Sequence, residues 1–268
     1  MKFFLVTVIY NCLIENSTKL RSDTVEVEYI FVDNSTTLEI KEKNQAYCNE
    51  NHLRYIDMHG NFGLPKAYNE AIKNIEINEQ NWILISDDDT NFPVNFIDNY
   101  KIAIRDNSQK KVFMPIINDS VGIMSPAQIK GKKFVHSIET DFNSHIEKYS
   151  FINSGMCINS TLFETISYDE NLFLDYVDHD FVNSVKEKLG NDVFFVMQDL
   201  KINQNFSGVS NNSFESDFSR FKIYSKDLKY YHQKLYGTKK TAIRQLYLRA
   251  LKLSLKHKCL DFLKVLHD

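Results

Sequence analysis

The most constraining feature of the chain is a set of short runs made almost entirely of apolar, β-branched or aromatic residues. The first run is Phe3–Tyr10 (FFLVTVIY), and Trp82–Ile85 (WILI) is another. Runs without polar alternation fit strands buried on both faces, as in a parallel sheet covered by helices. Val27–Val32 reads as a similar strand, and a helical pattern starts at Pro65. Strand and helix patterns alternate through residues 3–115, which predicts a doubly wound, mostly parallel α/β sheet with flanking helices.

The remainder of the chain is predicted to add strands and then helices. Phe151–Ile158 reads as a strand, and a helical pattern begins near Asp175 and stops at Gly190. Two further helices are predicted over Phe218–Leu235 and Thr241–Leu266. We therefore expect an α/β catalytic domain over 1–212 and a basic, amphipathic helical extension over 213–268.

Composition excludes several classes of protein. The 268 residues carry a net charge of −3, so bulk electrostatics do not favour nucleic acid as a partner. The four cysteines are far apart and form no CxxC pair, which disfavours a zinc knuckle or a disulfide framework and fits a reducing cytosol. No apolar run approaches the ~20 residues that a membrane-spanning helix needs. The expectation is a cytoplasmic globular protein.

Three adjacent carboxylates follow the apolar strand Trp82–Ile85. In an extended backbone Asp87 and Asp89 can face the same way, while Asp88 points elsewhere. Ligands of open α/β sheets bind beyond the carboxyl ends of the strands, and two carboxylates there suit Mg²⁺ or Mn²⁺. The alternative is a solvated turn in which Asp89 or Thr90 caps the next helix. Like charge at a strand exit is unfavourable without a cation, which favours the site.

A second acidic cluster lies at the start of the later helix, in Phe173–Phe181 (FLDYVDHDF). Carboxylates at a helix N-terminus are stabilising by ~0.3–1 kcal/mol each, so the cluster fits a purely structural role. It also fits a general base presented by the first turn of the helix. This pattern alone favours the structural role.

Two further segments have polar residues where strands and helices meet. Asp33 ends the second strand, where it fits either an Asx turn or a contact to a ribose or base. Asn61–Asn69 contains Gly63 and Lys66 at a predicted helix start, which fits either a simple helix boundary or a phosphate contact. The glycine-rich nucleotide loops GxGxxG and GxxxxGK[ST] are absent, as are GxSxG and HExxH.

The order of these segments resembles that of a family 2 glycosyltransferase over roughly residues 3–210, and is most similar to bacterial rhamnosyltransferase-like members. The resemblance implies the GT-A fold. It implies that Asp87 and Asp89 form a DxD motif holding Mn²⁺ or Mg²⁺, with Asp87 and Asp88 beside the nucleotide sugar. Phe173–Asp178 matches the family's F-I-D-Y-V-D element, which puts the catalytic base on Asp178.

The resemblance also implies a nucleotide-sugar site built from several segments. The residues that match those segments are Thr7, Tyr10, Asp33, Asn61, Gly63, Lys66, Asn69, Ser154 and Gly155. Two positions depart from the pattern of the relatives. Asn205–Gly208 stands where many relatives have a metal-reaching His in an H-x-x-G pattern, and Lys226-Asp227 stands where rhamnosyl relatives often have Arg-Asn.

The implied activity is inverting, metal-dependent transfer of a sugar from a UDP- or dTDP-linked donor. The implied acceptor is a hydroxyl of a glycan or lipid-linked glycan in bacterial surface polysaccharide synthesis. Two alternatives remain open from the residues themselves. A nucleotidyltransferase would usually show a glycine-rich phosphate loop after the first strand, and a non-catalytic glycan- or metal-binding module would not need Asp178.

The last predicted helix is strongly basic. Residues 239–264 contain eight Lys or Arg residues and one acid, Asp261, with leucines interleaved. Such a helix can lie on an anionic membrane surface. It can equally pack on its own domain or on the partner of a homodimer, with a solvated basic face.

Overall fold

The computed structural model describes residues 1–16, 26–138, 141–204 and 212–266. The fold is α/β and is built on a ten-stranded sheet. The strands are β1 Lys2–Ile9, β2 Val27–Asp33, β3 Arg54–Asp57, β4 Asn81–Ser86, β5 Val112–Asn118, β6 Ile123–Lys130, β7 Lys133–Ser137, β8 Tyr149–Ser150, β9 Cys157–Asn159 and β10 Phe194–Asn203. Neighbouring strands are hydrogen-bonded in the order β3-β2-β1-β4-β9-β5-β6-β7, while β10 pairs with β5 and β8 pairs with β6. The pairs β3–β2, β2–β1, β1–β4 and β5–β10 are parallel.

Seven α-helices surround or follow this sheet in the described part of the chain. They are α1 Leu38–Glu50, α2 Leu64–Lys73, α3 Phe96–Asp106, α4 Val177–Leu189, α5 Phe214–Tyr236, α6 Lys240–His257 and α7 Asp261–Lys264. None of the described helices combines the length and the apolar character needed to cross a lipid bilayer.

The predicted fold class is confirmed, two local predictions are wrong, and one helix was not predicted. Phe151–Ile158 is not one strand: residues 151–156 form a loop that turns at Gly155, where φ is +75°, and β9 begins at Cys157. The helix predicted over Thr241–Leu266 is split into α6 and α7, because Lys258 adopts a left-handed conformation with φ of +52°. Helix α1 was not predicted, because its hydrophobic periodicity is weak.

The core lies on the two faces of the sheet, as expected for strands without polar alternation. β4 is buried along its whole length, and β1 is buried from its second residue onward. One large cluster joins one face of β1 and β4 to α2 and α4, and a second joins the other face to α3. Packing on both faces of the sheet thereby fixes the positions of the ends of the parallel strands.

Helix α5 is tied to the α/β unit by buried polar contacts. Asp227 is fully buried, and its carboxylate accepts hydrogen bonds from three successive backbone N–H groups, those of Phe173 (3.0 Å), Leu174 (2.8 Å) and Asp175 (2.9 Å). Arg220 forms a two-pronged ion pair with Asp175. The first two turns and the middle of α5, through Arg220 and Asp227, therefore hold the segment that leads into α4.

A second tie lies near the end of α5. Lys234 Nζ is 2.8 Å from both Asp169 and Asp180, and the Tyr230 hydroxyl donates to Asp169 at 2.8 Å. Burial raises the pKa of Asp169, but hydrogen bonds from Lys234, the Asn171 backbone and Tyr230 outweigh it and lower the pKa to about 2. The ionised carboxylate is thus the form that the folded state favours.

We expect Asp169→Asn to change how stability depends on pH. A carboxylate with a lowered folded-state pKa stabilises the fold above its unfolded pKa of about 3.9, and this contribution is lost as pH falls toward about 2. Asp169→Asn should cost about 1–2 kcal/mol at pH 7 and little near pH 2. Urea denaturation between pH 7 and pH 2 measures this difference.

Asp98→Asn is the matched control, because Asp98 lies in an exposed surface pair with Lys101 at 3.5 Å. It should change stability little at any pH. A constant stability difference for Asp169→Asn across the pH range would contradict the assigned role.

Candidate functional site

The candidate site lies where the parallel strands β1, β2 and β4 end. The turns after β1 and β2 are tied together by Asn11, whose Oδ1 accepts from the backbone N–H groups of Thr36 (3.0 Å) and Thr37 (3.2 Å). The Asn11 N–H donates to Ser35 Oγ at 2.8 Å. These contacts fix the edge of the sheet next to the aspartates that follow β4.

Asp87 is the most heavily engaged of the three aspartates. Its Oδ2 accepts a short hydrogen bond from Ser154 Oγ and a second from Gln204 Nε2 at 3.2 Å. Its backbone N–H donates to Thr90 Oγ1 at 3.0 Å, and that hydroxyl is 3.2 Å from Ser154 Oγ. The carboxylate is therefore held in one orientation by residues from three parts of the chain.

Asp89 and Asp88 point in different directions. Asp89 is exposed, and its Oδ1 accepts from the same Gln204 Nε2 at 2.9 Å, so Gln204 joins Asp87 and Asp89. Asp88 instead accepts a hydrogen bond from Cys12 Sγ at 3.2 Å, on the side of the β1 turn. The Cys12 thiol is kept protonated, because burial and then the Asp88 hydrogen bond and charge raise its pKa to about 12.

Negative charge accumulates around Asp87. Burial raises the pKa of Asp87 most, and the charges of Asp89 and Asp178 raise it further. The hydrogen bonds from Ser154 and Gln204 oppose this shift. Asp87 thus interacts electrostatically with both the neighbouring aspartate and the acid on α4, although Asp178 is far away in sequence.

Asp178 is presented by the first turn of α4. Its carboxylate is half-buried, and Oδ1 accepts from the His179 backbone N–H at 2.8 Å. The charge of Asp178 also raises the pKa of two fully buried hydroxyls, those of Tyr68 and Tyr168, after the larger effect of burial. Asp178 therefore belongs to the same electrostatic environment as Asp87.

The segment before Asp178 is clamped between α5 and the start of α2. On one side Asp227 accepts from its backbone N–H groups, as described above. On the other side the Phe173 carbonyl accepts from the Leu64 N–H at 2.8 Å. Gly63 has φ of +86°, and a Cβ there would lie 2.6 Å from the Phe173 oxygen. Only glycine fits this close approach.

Two of the predicted binding residues are occupied by the protein's own groups. Asp33 is fully buried, and its carboxylate accepts from the Ser35 N–H (2.8 Å), Asn44 Nδ2 (2.9 Å) and the Tyr55 hydroxyl (3.0 Å). Asn69 makes hydrogen bonds to both backbone groups of Tyr168, each at 3.0 Å. In this structure both side chains tie elements together.

Other predicted binding residues lie around the rim of the site or beneath it. Tyr10 and Lys66 are exposed, whereas Thr7 is buried within β1 and its hydroxyl has no hydrogen-bond partner among the described residues. Asn61 Oδ1 accepts from the Gly63 N–H at 3.1 Å and shapes the start of α2. Asn205, which matches the position of the relatives' His, lies outside the described residues.

The Ser154-Gly155 turn brings its hydroxyl to Asp87 because the backbone is packed tightly beneath it. The Gly155 N–H donates to the Ile85 carbonyl at 2.8 Å, and the Gly155 carbonyl accepts from the Tyr100 hydroxyl. A Cβ on Gly155 would lie 2.7 Å from Pro115 Cγ. The turn therefore sits directly against β4.

Sequence reasoning missed Gln204 and the clamping roles of Asp227 and Arg220. Gln204 is buried, its amide bridges two of the predicted metal ligands, and its Oε1 has no partner among the described residues. No local pattern marks a lone glutamine after a strand. Asp227 was noted only as a departure from the relatives, although its charge within an amphipathic helix was an available signal.

Gly63→Ala should disturb the segment that leads to Asp178. Both Gly63 and Gly131 have positive φ, but a Cβ on Gly131 meets no atom within 4 Å. Gly131→Ala should therefore cost only about 1–2 kcal/mol for the left-handed backbone. Gly63→Ala should cost more, because the Phe173 backbone must also move. Chemical denaturation compares the two variants, and equal losses would contradict the packing argument.

Comparisons with known proteins bear on the family and on the fold. Residues 5–120 match the family model described as glycosyl transferase family 2. No curated protein sequence matches the chain significantly.

Solved structures show the fold. TarS 1–349 from S. aureus superposes with a TM-score of 0.54 at 16% identity, covering 85% of this chain and 65% of TarS 1–349. Its complex with UDP gives a TM-score of 0.55 at 18% identity, with the same coverage. GalNAc-T7 with UDP, GalNAc and Mn²⁺ gives 0.59 at 14% identity, covering 100% of this chain and 56% of that one. The chain thus spans just under two thirds of TarS 1–349, and its α/β fold is GT-A-like.

Proposed function

We propose that this protein is a glycosyltransferase that uses a nucleoside-diphosphate sugar as donor and inverts the anomeric centre. The observation that supports it best is the electrostatic interaction between two sets of carboxylates: the Asp87–Asp89 pair after β4, and Asp178 at the start of α4. Asp87 and Asp89 converge on Gln204, and Asp178 on α4 interacts electrostatically with Asp87. One group suits the leaving diphosphate and the other suits an acceptor hydroxyl.

The family match and the solved structures support the same proposal. The matched segment, 5–120, contains β1, β2, β4 and the three aspartates. The TarS and GalNAc-T7 structures contain UDP. We infer a uridine- or thymidine-diphosphate donor and a glycan hydroxyl as acceptor. The hexosyl or rhamnosyl nature of the sugar remains a prediction of the resemblance.

The residues present fit a divalent cation at Asp87 and Asp89. Their carboxylates converge on one amide donor, and their mutual charge raises the pKa of Asp87 in addition to burial. Gln204 donates through Nε2 to both carboxylates, and its buried Oε1 has no partner among the described residues. Those residues include no cluster of three or more His, Cys, Asp or Glu side chains arranged around a metal. Mg²⁺ and Mn²⁺ sites commonly use two carboxylates and complete their coordination with water and substrate phosphates.

A cation bound there would supply Lewis-acid stabilisation of the charge that develops on the diphosphate. The protein's own contribution is to hold the two carboxylates in place. Ser154 and Gln204 orient Asp87, and the packed Gly155 turn prevents Ser154 from moving away. Preorganised charge of this kind lowers the barrier because no reorganisation is needed during the reaction.

Asp178 would act as the general base toward the acceptor hydroxyl. A carboxylate is a weak base, so the proton moves late, as the new bond to the anomeric carbon forms. A single displacement by the acceptor inverts the configuration at that carbon. The clamp formed by Asp227, Arg220 and the Phe173 backbone holds the turn that aims Asp178.

Asp178→Asn tests the proposed base. We expect the turnover number for transfer or donor hydrolysis to fall 10²–10⁴-fold, because proton removal is lost. Binding of UDP should be largely retained. Activity is measured with a panel of UDP- and dTDP-sugars, by assaying the release of UDP or dTDP and the anomer formed. The sugar nucleotide that is consumed identifies the donor.

Asp192→Asn is a control, because Asp192 is an exposed aspartate just beyond the opposite end of α4. It should leave turnover unchanged. If Asp178→Asn keeps full turnover with a donor that wild type uses, Asp178 is not the base. If no nucleotide sugar binds or turns over, the proposed function itself fails.

Gln204→Glu tests the cation site with a readout other than activity. In the absence of metal, a third carboxylate beside Asp87 and Asp89 should destabilise the fold by about 3 kcal/mol, because an uncompensated charge is buried. Mn²⁺ should then bind at least tenfold more tightly than to wild type, because the site gains an oxygen ligand and negative charge. Melting in EDTA and calorimetry with MnCl₂ measure both effects.

Gln198→Glu is the matched control, because Gln198 is an exposed glutamine on β10, the strand that precedes Gln204. It should change neither stability nor Mn²⁺ affinity by much. An unchanged Mn²⁺ affinity in Gln204→Glu would contradict a cation at Asp87 and Asp89.

A further inference from the structure

Helix α6 has two faces of different character. Every fourth residue on one side is buried in a small core with α5 and α7: Ala242, Leu246, Ala250 and Ser254. This row fixes the orientation of the helix, because residues four apart lie on one side of an α-helix. The opposite side of α6 is therefore directed away from the rest of the chain.

The side of α6 that adjoins the buried row is unusually apolar for a solvent-facing surface. Ile243, Tyr247 and Leu255 follow each other at helical spacing with relative exposures of 44%, 50% and 80%, and the half-buried Leu251 lies between the last two. Leu248, at 62%, lies beside them. Single exposed apolar residues need no explanation, but a contiguous stripe marks an interaction surface.

Basic residues are interleaved with this stripe. Lys240, Arg244 and Lys252 are exposed on the same side, and no described acid pairs with any of them. Three other cations of the C-terminal helices do have partners: Lys256 pairs with Asp217, Lys264 with Asp261, and Arg249 lies over the Tyr224 ring at 4.1 Å. We define the α6 outer face as Lys240, Ile243, Arg244, Tyr247, Leu248, Leu251, Lys252 and Leu255.

We propose that the α6 outer face binds the surface of an anionic phospholipid bilayer. Apolar side chains that can enter the interface, flanked by unpaired cations that attract anionic headgroups, are what such a surface requires. A symmetric dimer through this face would bring the unpaired cations of both copies into one interface without an acid to pair with them, which is unfavourable. A polyanion without an apolar phase would leave the leucines exposed to water.

This inference is independent of the proposed function, because it rests on a surface that contains none of the candidate site residues. If both hold, the protein would meet a glycan acceptor at the membrane when that acceptor is linked to a lipid. The test therefore uses vesicle binding and not turnover.

The experiment is sedimentation of the full chain with vesicles of phosphatidylcholine alone or with about 30% phosphatidylglycerol. We expect binding to the anionic vesicles only, weakened by raising the salt concentration because screening reduces the attraction. Leu248→Glu combined with Leu255→Glu should reduce the bound fraction at least tenfold. Arg244→Glu combined with Lys252→Glu should abolish the preference for phosphatidylglycerol.

The control is Ile102→Glu combined with Val121→Glu, two exposed apolar residues on α3 and after β5. This variant should bind vesicles like wild type, and thermal melting should show that all variants are folded. The proposal is wrong if the wild-type protein does not bind anionic vesicles. It is also wrong if the variants of the α6 outer face bind these vesicles as well as the control variant does. Light scattering that shows a dimer lost in Leu248→Glu with Leu255→Glu would assign the face to self-association and overturn the proposal.

Discussion

Two carboxylates that share one amide donor make the carboxyl end of β4 strongly negative. Asp87 and Asp89 both accept from Gln204 Nε2, and Asp178 adds a third negative charge within electrostatic reach. Like charges so close together are unfavourable in a low-dielectric setting, so the fold must hold them in place. It does so with a rigid turn, a buried hydroxyl and strands packed on both faces.

Helix α5 of the C-terminal region is integrated with the α/β unit. Asp227 and Arg220 of α5 contact the segment Phe173–Asp175, which precedes Asp178. Gly63, at the start of α2, packs closely against the same segment from the other side. The start of α2 and helix α5 are thereby coupled through the backbone of Phe173–Asp175. Displacement of either partner would change the position of Asp178.

Features encoded by local patterns were predictable, and features that depend on distant partners were not. The all-apolar runs gave β1 and β4 and hence the fold class, and Gly190 correctly marked the end of α4. Phe151–Ile158 looked like a strand because of its apolar residues, but Gly155 turns the chain so that Ser154 meets Asp87. Gln204 is 117 positions from Asp87 in the sequence. Asp33 accepts hydrogen bonds from the Ser35 N–H and the Tyr55 hydroxyl, and no sequence pattern predicts these partners. Only the packed chain shows which polar groups meet.

One consequence follows from the three amide hydrogens that converge on Asp227. They belong to consecutive residues in an irregular stretch, where no neighbouring strand or helix is available as a substitute acceptor. Removal of α5 would take away this shared acceptor and leave the three N–H groups to bind water, so the backbone of Phe173–Asp175 would lose the contact that fixes its position. The α/β part of the molecule therefore depends on a later helix, because α5 completes the geometry of the turn before Asp178.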